Sequence, residues 1–172
     1  MLSFDITHQL TDLLIAIEAA AHHHDSVAHH HDPLLPALAA VLINPPNPAP
    51  WLRAEPVPVP DPAWHTQPGG APGVLAGVPA VLRSPAGVAL LTRARQTRPD
   101  PQLLAYALTY QCHGWAGPVR RVDAVDTDRR LYRVARSGWD GQMWVSVHDH
   151  PEVTDPPTRA ALADLLAASQ PW

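Results

Sequence analysis

The sequence has 172 residues, of which 46% are hydrophobic. This is enough apolar material for one packed domain, so wholesale disorder is excluded. The single cysteine excludes an intrachain disulfide and a cysteine-based zinc site, and no apolar run reaches the roughly 20 residues that span a bilayer. The formal net charge is −4, and the first residues lack the basic segment of a secretory signal. We therefore expect a cytoplasmic protein without membrane contact.

Amino-acid composition and the distribution of charge give two further indications. All 12 basic residues are arginine, which, with the abundance of alanine and proline, indicates a high-GC bacterium or its phage. Residues 1–75 carry seven acidic side chains and one arginine, residues 76–137 four acidic side chains and ten arginines, and residues 138–172 five acidic side chains and one arginine. The basic middle suits an anionic partner, but the modest net charge favours acidic ends that fold back over it.

The first part of the chain predicts two helices. Over residues 4–31, Leu10, Leu14 and Ile17 recur at helical spacing and form one apolar stripe. An Asp-Pro pair then favours a second helix start, so residues 33–43 are expected to form the second arm of a helical hairpin.

Residues 44–73 predict a proline-rich linker. Ten of these thirty residues are proline, which disfavours helix and central strand and favours polyproline II. We expect Trp51 and Trp64 to hold the linker against the folded body. An alternative is that the linker is a proline-rich ligand for another protein.

The remaining chain predicts an α+β body. Periodicity and turn residues indicate helices over 84–97 and 156–169 and strands over 103–112, 119–126, 130–136 and 142–148. The predicted fold class is therefore α+β: an N-terminal helical hairpin, a proline-rich linker and a four-stranded antiparallel meander packed with helices. The corresponding division of the chain is 1–43, 44–73 and 74–172.

A histidine repeat is the first candidate site. The sequence Ala-His-His-His-Asp occurs at residues 21–25 and again at 28–32. On a helix, this repeat and one preceding acid form a ladder that is expected to lie opposite the leucine stripe; its members are Glu18, His22, Asp25 and His29. Neighbouring members of this ladder, three or four residues apart, can each supply half of a Zn²⁺ or Ni²⁺ site. The favoured interpretation is nevertheless a protein without a cofactor. A solvated face and a pH-sensitive surface are the alternatives.

A group of arginines on the predicted meander is the second candidate site. Its members are Arg120, Arg121, Arg133 and Arg136. Such side chains suit contacts with nucleic-acid phosphates. However, Asp123, Asp126 and Asp128 are interleaved with them, and cross-strand arginine–aspartate pairs are the simpler and more ordinary explanation.

No motif indicates an enzyme. Cys112 and His113 are adjacent on a predicted strand and so point to opposite faces, and no phosphate-binding or nucleophile-elbow motif occurs. Trp144 is expected in the core, whereas Trp115 and Trp139, in turns, suit a partner surface. We expect a non-enzymatic protein–protein interaction or assembly protein that binds a protein partner or itself; metal binding and nucleic-acid binding are the alternatives.

Overall fold

A computed structural model describes residues 1–28, 36–44, 49–66, 70–97, 102–114, 117–149 and 157–169. Its helices and strands follow the order α1 (Phe4–Ala28), β1 (Ala37–Asn44), β2 (Trp51–Val57), α2 (Asp61–Thr66), α3 (Gly70–Arg83), α4 (Pro85–Thr97), β3 (Gln102–Gly114), β4 (Gly117–Asp126), β5 (Leu131–Ser137), β6 (Met143–His148) and α5 (Pro157–Ser169). Within these ranges no helix is both long and apolar enough to cross a membrane.

The strands form one antiparallel sheet in the order β2-β1-β3-β4-β5-β6. The α+β class is confirmed, but the predicted sheet of four strands is wrong because the described residues form six. The two additional strands, β1 and β2, join the meander beside β3.

The predicted second helix over residues 33–43 is wrong, since its described part belongs to β1. The apolar run of β1 suits a buried strand as well as a helix. Pairing with β2 on one side and β3 on the other satisfies its backbone, and Leu38 and Val41 become buried. Pairing with strands outside the segment, including the distant β3, therefore decides its structure.

The predicted linker is also more ordered than its proline content indicates. It contains β2, α2 and the start of α3, so the expected boundary at residue 74 falls inside a helix. Pro56 is tolerated because β2 is an edge strand, and Pro62 lies in the first turn of α2, where its missing N–H costs nothing. Trp64 is buried, as expected, but Trp51 is half exposed.

Other predicted elements are present with shifted ends. All four meander strands and α5 occur where periodicity placed them. The N-terminal helix is described to Ala28, and residues 29–35 lie outside the described ranges. The helix predicted over 84–97 is α4, where the Ser84 hydroxyl accepts a hydrogen bond from the Gly87 N–H at 3.2 Å.

Helix α1 covers one face of the sheet. Its Leu10 and Leu14 are fully buried and pack in one cluster with Ala105 and Ala107 of β3. The small alanine side chains allow the helix to approach the strand closely.

Helices α2, α3 and α5 cover the opposite face. Leu75, Leu162 and Leu165 pack there with Tyr106 and Leu108 of β3. The sheet therefore has a hydrophobic core on each side, and alternate residues of β3 enter different cores.

We expect Leu14→Ala to lower the free energy of unfolding by about 2–5 kcal/mol, because it leaves a cavity between α1 and the sheet. Val81→Ala is the matched control, since Val81 is mostly exposed on α3, and should change stability by no more than about 0.5 kcal/mol. Urea denaturation measures both. Equal effects of the two substitutions would contradict the packing of α1 on the sheet.

Candidate interaction surface

Glu18 of α1 is buried in an ion pair. Its side chain is 0% exposed; its Oε1 accepts from the Arg136 Nε at 2.8 Å and its Oε2 from the Arg136 terminal nitrogen at 2.7 Å. Arg120 is 3.7 Å away. The prediction that Glu18 lies on a polar ladder opposite the leucine stripe is wrong, since Glu18 follows Leu10 and Leu14 at four-residue spacing into the interface with the sheet.

The rest of the histidine ladder is not brought into a site. His22 is exposed on α1, the side chain of Asp25 is not described, and His29 lies outside the described ranges. Among the described residues, no three His, Cys, Asp or Glu side chains lie close enough to hold a metal ion. Because Arg136 engages both oxygens of Glu18, that carboxylate could bind a metal only by breaking a buried ion pair. Zinc or nickel binding by the remaining ladder stays a prediction.

A second buried carboxylate lies on the other face of the sheet. Asp123 of β4 is fully buried and faces Arg133 of β5 in the strand register, with 2.8 Å between the Arg133 Nε and the Asp123 Oδ1. The Tyr110 hydroxyl donates to the other oxygen at 2.9 Å. Burial, with the adjacent Asp123 charge, raises the pKa of Tyr110 to about 12.

The predicted arginine group is divided between the two faces. Arg120 and Arg136 are on the α1 side with Glu18, whereas Arg133 pairs with Asp123 and Arg121 lies 4.0 Å from the Cys112 sulfur on the α5 side. The four residues therefore do not form one basic surface. For Arg133, the structure has the cross-strand pair with aspartate that was the simpler interpretation. Nucleic-acid binding itself stays a prediction.

Asp126 organises the turn between β4 and β5. Its Oδ1 accepts from the backbone N–H groups of Asp128 and Arg130, each at 2.9 Å, and its Oδ2 accepts from the Tyr132 hydroxyl at 2.8 Å. This turn contains no glycine, and Arg129 takes the left-handed conformation at φ 65°, which the Asp126 bonds help to stabilise. Burial is the largest effect on the Asp126 carboxyl and raises its pKa.

Strand β6 is an edge strand with exposed apolar side chains. Trp144 is 47% exposed, Val145 42% and Val147 40%, so the expectation that Trp144 is a core residue is wrong. No formally charged residue occurs between Gly141 and His148. Within the described ranges β6 has a neighbour on one side alone, β5.

The register of β5 and β6 shows which backbone groups face the free edge. The Ser137 N–H donates to the Gln142 carbonyl at 2.9 Å, so residues 142, 144, 146 and 148 direct their N–H and C=O groups toward β5 in the alternating antiparallel ladder. Met143, Val145 and Val147 consequently direct theirs outward. The free edge thus offers three N–H and C=O pairs.

Arg136 connects this edge to α1. Besides holding Glu18, its guanidinium donates to the Gly141 carbonyl at 3.2 Å and contacts the Met143 sulfur at 3.6 Å. One side chain therefore contacts the helix, the β5–β6 turn and the first residue of β6.

The two predicted partner tryptophans have different outcomes. Trp139 is 84% exposed at the turn that leads into β6, which is compatible with the predicted role in partner binding. Trp115 lies outside the described ranges. Sequence reasoning missed β6 itself as a surface, because its alternation is typical of a half-buried strand; the uncharged edge was the available signal.

Comparisons with known proteins give no relative: no family model, no curated protein and no solved structure matches the chain. The residues described above are therefore the basis for proposing a function. The most distinctive features of the described structure are the free β6 edge, the exposed Trp139 and the two buried ion pairs.

We expect Arg136→Met to lower the free energy of unfolding by about 3 kcal/mol, because it leaves the buried Glu18 carboxylate with Arg120 as its remaining charge partner. Adding Glu18→Gln should recover part of this loss, so a double-mutant cycle should give a favourable coupling energy. The control is Arg53→Met, whose partner Glu55 is partly exposed, unlike the buried Glu18, with an expected cost below about 1 kcal/mol. A coupling energy of zero would contradict the buried pair.

We expect the three tyrosines to resist ionisation in the folded protein. Burial raises the pKa of Tyr106, and burial together with a neighbouring aspartate raises the pKa values of Tyr110 and Tyr132 to about 12. In the unfolded chain the tyrosines ionise near pH 10.0. The stability that comes from keeping them neutral in the folded protein is therefore fully present below pH 10 and is lost as the pH rises toward about 12. The free energy of unfolding from urea denaturation should begin to fall near pH 10, whereas the tyrosinate absorbance of the folded protein should rise only toward pH 12. Ionisation of all three side chains near pH 10 in the folded protein would contradict this expectation.

Proposed function

We propose that this chain is a non-enzymatic protein–protein interaction or assembly protein. It is encoded by a high-GC bacterium or its phage and acts in the bacterial cytoplasm. Its contact surface is β6, which binds a partner by adding a strand to the sheet. The observation that carries the proposal is the uncharged edge of β6, which no strand of the described part of the chain covers, with Trp144, Val145 and Val147 exposed.

The opposite edge supports this interpretation by contrast. Soluble proteins protect edge strands with charge and proline. Strand β2 has both, since Arg53 and Glu55 form a partly exposed ion pair at 2.8 Å and Pro56 lacks an N–H. Strand β6 has neither device. An edge left open while its counterpart is protected favours strand addition as a function.

Trp139 extends the proposed surface. It lies in the turn between β5 and β6, beside Gly141, whose φ of 69° completes that turn. Tryptophan is enriched at the energetic centres of protein interfaces. An indole that is 84% exposed, next to an open strand, offers a partner an anchor as well as backbone hydrogen bonds.

The two alternatives receive less support from the described side chains. Metal binding relies on Glu18, which Arg136 holds in the interior. Nucleic-acid binding relies on a group in which Arg133 and Arg136 are already bound to carboxylates. The apolar groups of β6, by comparison, gain from burial against a partner.

Photo-crosslinking in the native cell tests the proposal. A benzophenone amino acid in place of Val147, on the open edge, should give discrete protein adducts on irradiation. The same probe in place of Val81, which is even more exposed on α3 (65% against 40% for Val147), should give none of those adducts. Absence of adducts from position 147, or the same adducts from both positions, would contradict an interaction through β6.

A further inference from the structure

We infer that the strand that completes β6 is β6 of a second copy of this chain, antiparallel and related by a two-fold axis through Val145. The inference rests on the proposed function and specifies its partner. It follows from the pattern of backbone groups, side chains and charges along the free edge.

The backbone pattern selects this register. With the axis at Val145, that residue pairs with itself, and Met143 pairs with Val147 of the second copy. These are the three residues whose N–H and C=O groups face outward, and in an antiparallel ladder each such pair exchanges two hydrogen bonds. All outward groups of the strand are then satisfied, with six bonds between the copies.

A neighbouring register satisfies fewer groups. With the axis at Trp144, Met143 pairs with Val145 of the second copy, but Val147 falls opposite Gly141. Gly141 lies in the turn at φ 69°, outside extended geometry, and cannot continue the ladder. The axis at Val145 is therefore favoured by the length of the strand.

The side chains are also self-complementary in this register. On the α1 side, Met143 and Val147 meet across the axis and the two Val145 side chains meet each other, which gives a continuous apolar row. On the α5 side, Trp144 lies opposite Ser146 of the second copy, so the largest side chain faces a small one. Gln142 falls opposite His148, a pairing of two hydrogen-bonding side chains.

Charge does not oppose the pairing. The nearest acidic residues are Asp140 and Asp149, at the two ends of the segment. In this register Asp149 falls opposite Gly141 rather than an acid, and it already accepts from the Arg130 Nε at 2.8 Å. No like charges are therefore placed directly across the axis, an arrangement that would disfavour a sheet pair.

The expected dimer is reversible. The interface consists of two six-residue strands, their exposed side chains and the nearby Trp139. It would bury about 1,000 Å² in total, at the small end of the range for specific complexes. We therefore expect a concentration-dependent equilibrium in the micromolar range.

Charge complementation at Val145 tests the two-fold axis directly. The wild-type full chain should dimerise with concentration in sedimentation equilibrium. Val145→Lys or Val145→Glu alone places like charges against each other and should raise the dissociation constant roughly tenfold or more. An equimolar mixture of the two variants should restore dimers, because residue 145 then faces its opposite charge. Val81→Lys, on the exposed face of α3, is the control and should dimerise like the wild type.

Each result has a defined meaning. Restoration by mixing supports the axis and also shows that both variants are folded. Variants that remain dimeric, or a mixture that remains monomeric, would overturn the pairing about Val145. A wild-type chain that stays monomeric at the highest attainable concentration would overturn self-association. If the wild-type chain is monomeric, crosslinked adducts from position 147 whose mass differs from that of two chains would still support the proposed function. The absence of any adduct would contradict both self-association and the proposed function.

Discussion

The burial of the Glu18 carboxylate beneath the sheet is the constraint that fixes α1. A charge removed from water is tolerated only beside an opposite charge with good hydrogen-bond geometry. Arg136 of β5 provides the opposite charge and donates hydrogen bonds to both oxygens of Glu18. If α1 slid along the sheet, these hydrogen bonds would be broken. The apolar contacts of Leu10 and Leu14 are non-directional, so they supply the attraction while the ion pair supplies the position.

The β4–β5 hairpin extends this principle to both faces of the sheet. Because side chains alternate along a strand, it directs Arg136 to α1 and Arg133 to the layer of α5, each against a fully buried acid. The segregation of arginine in the middle of the chain is thus partly an internal arrangement. The pairs of Arg133 and Arg136 explain two of the ten arginines in this segment without an external anionic partner.

Local signals were sufficient for one part of the fold. Helical spacing and the Ser84 cap predicted α4, and alternation predicted the strands from β3 to β6. By contrast, β1 depends on pairing with β3, which lies far along the chain. Proline content concealed β2 because the sequence does not say which strand is an edge. Glu18 could be recognised as buried only by continuing the four-residue spacing of Leu10 and Leu14. Its partner on β5 is invisible without the tertiary structure.

The difference between the two sheet edges also limits how far assembly can proceed. In the proposed dimer, the described strands of the two copies would form one sheet of twelve, six from each copy, with β2 at both ends. There Pro56 interrupts the row of donors, and Arg53 and Glu55 keep the edge solvated. In that dimer, growth by further strand addition would therefore stop at two chains. Pairing of the two β6 strands would thereby remove the exposed, apolar edge that could otherwise lead to open-ended polymerisation and fibres.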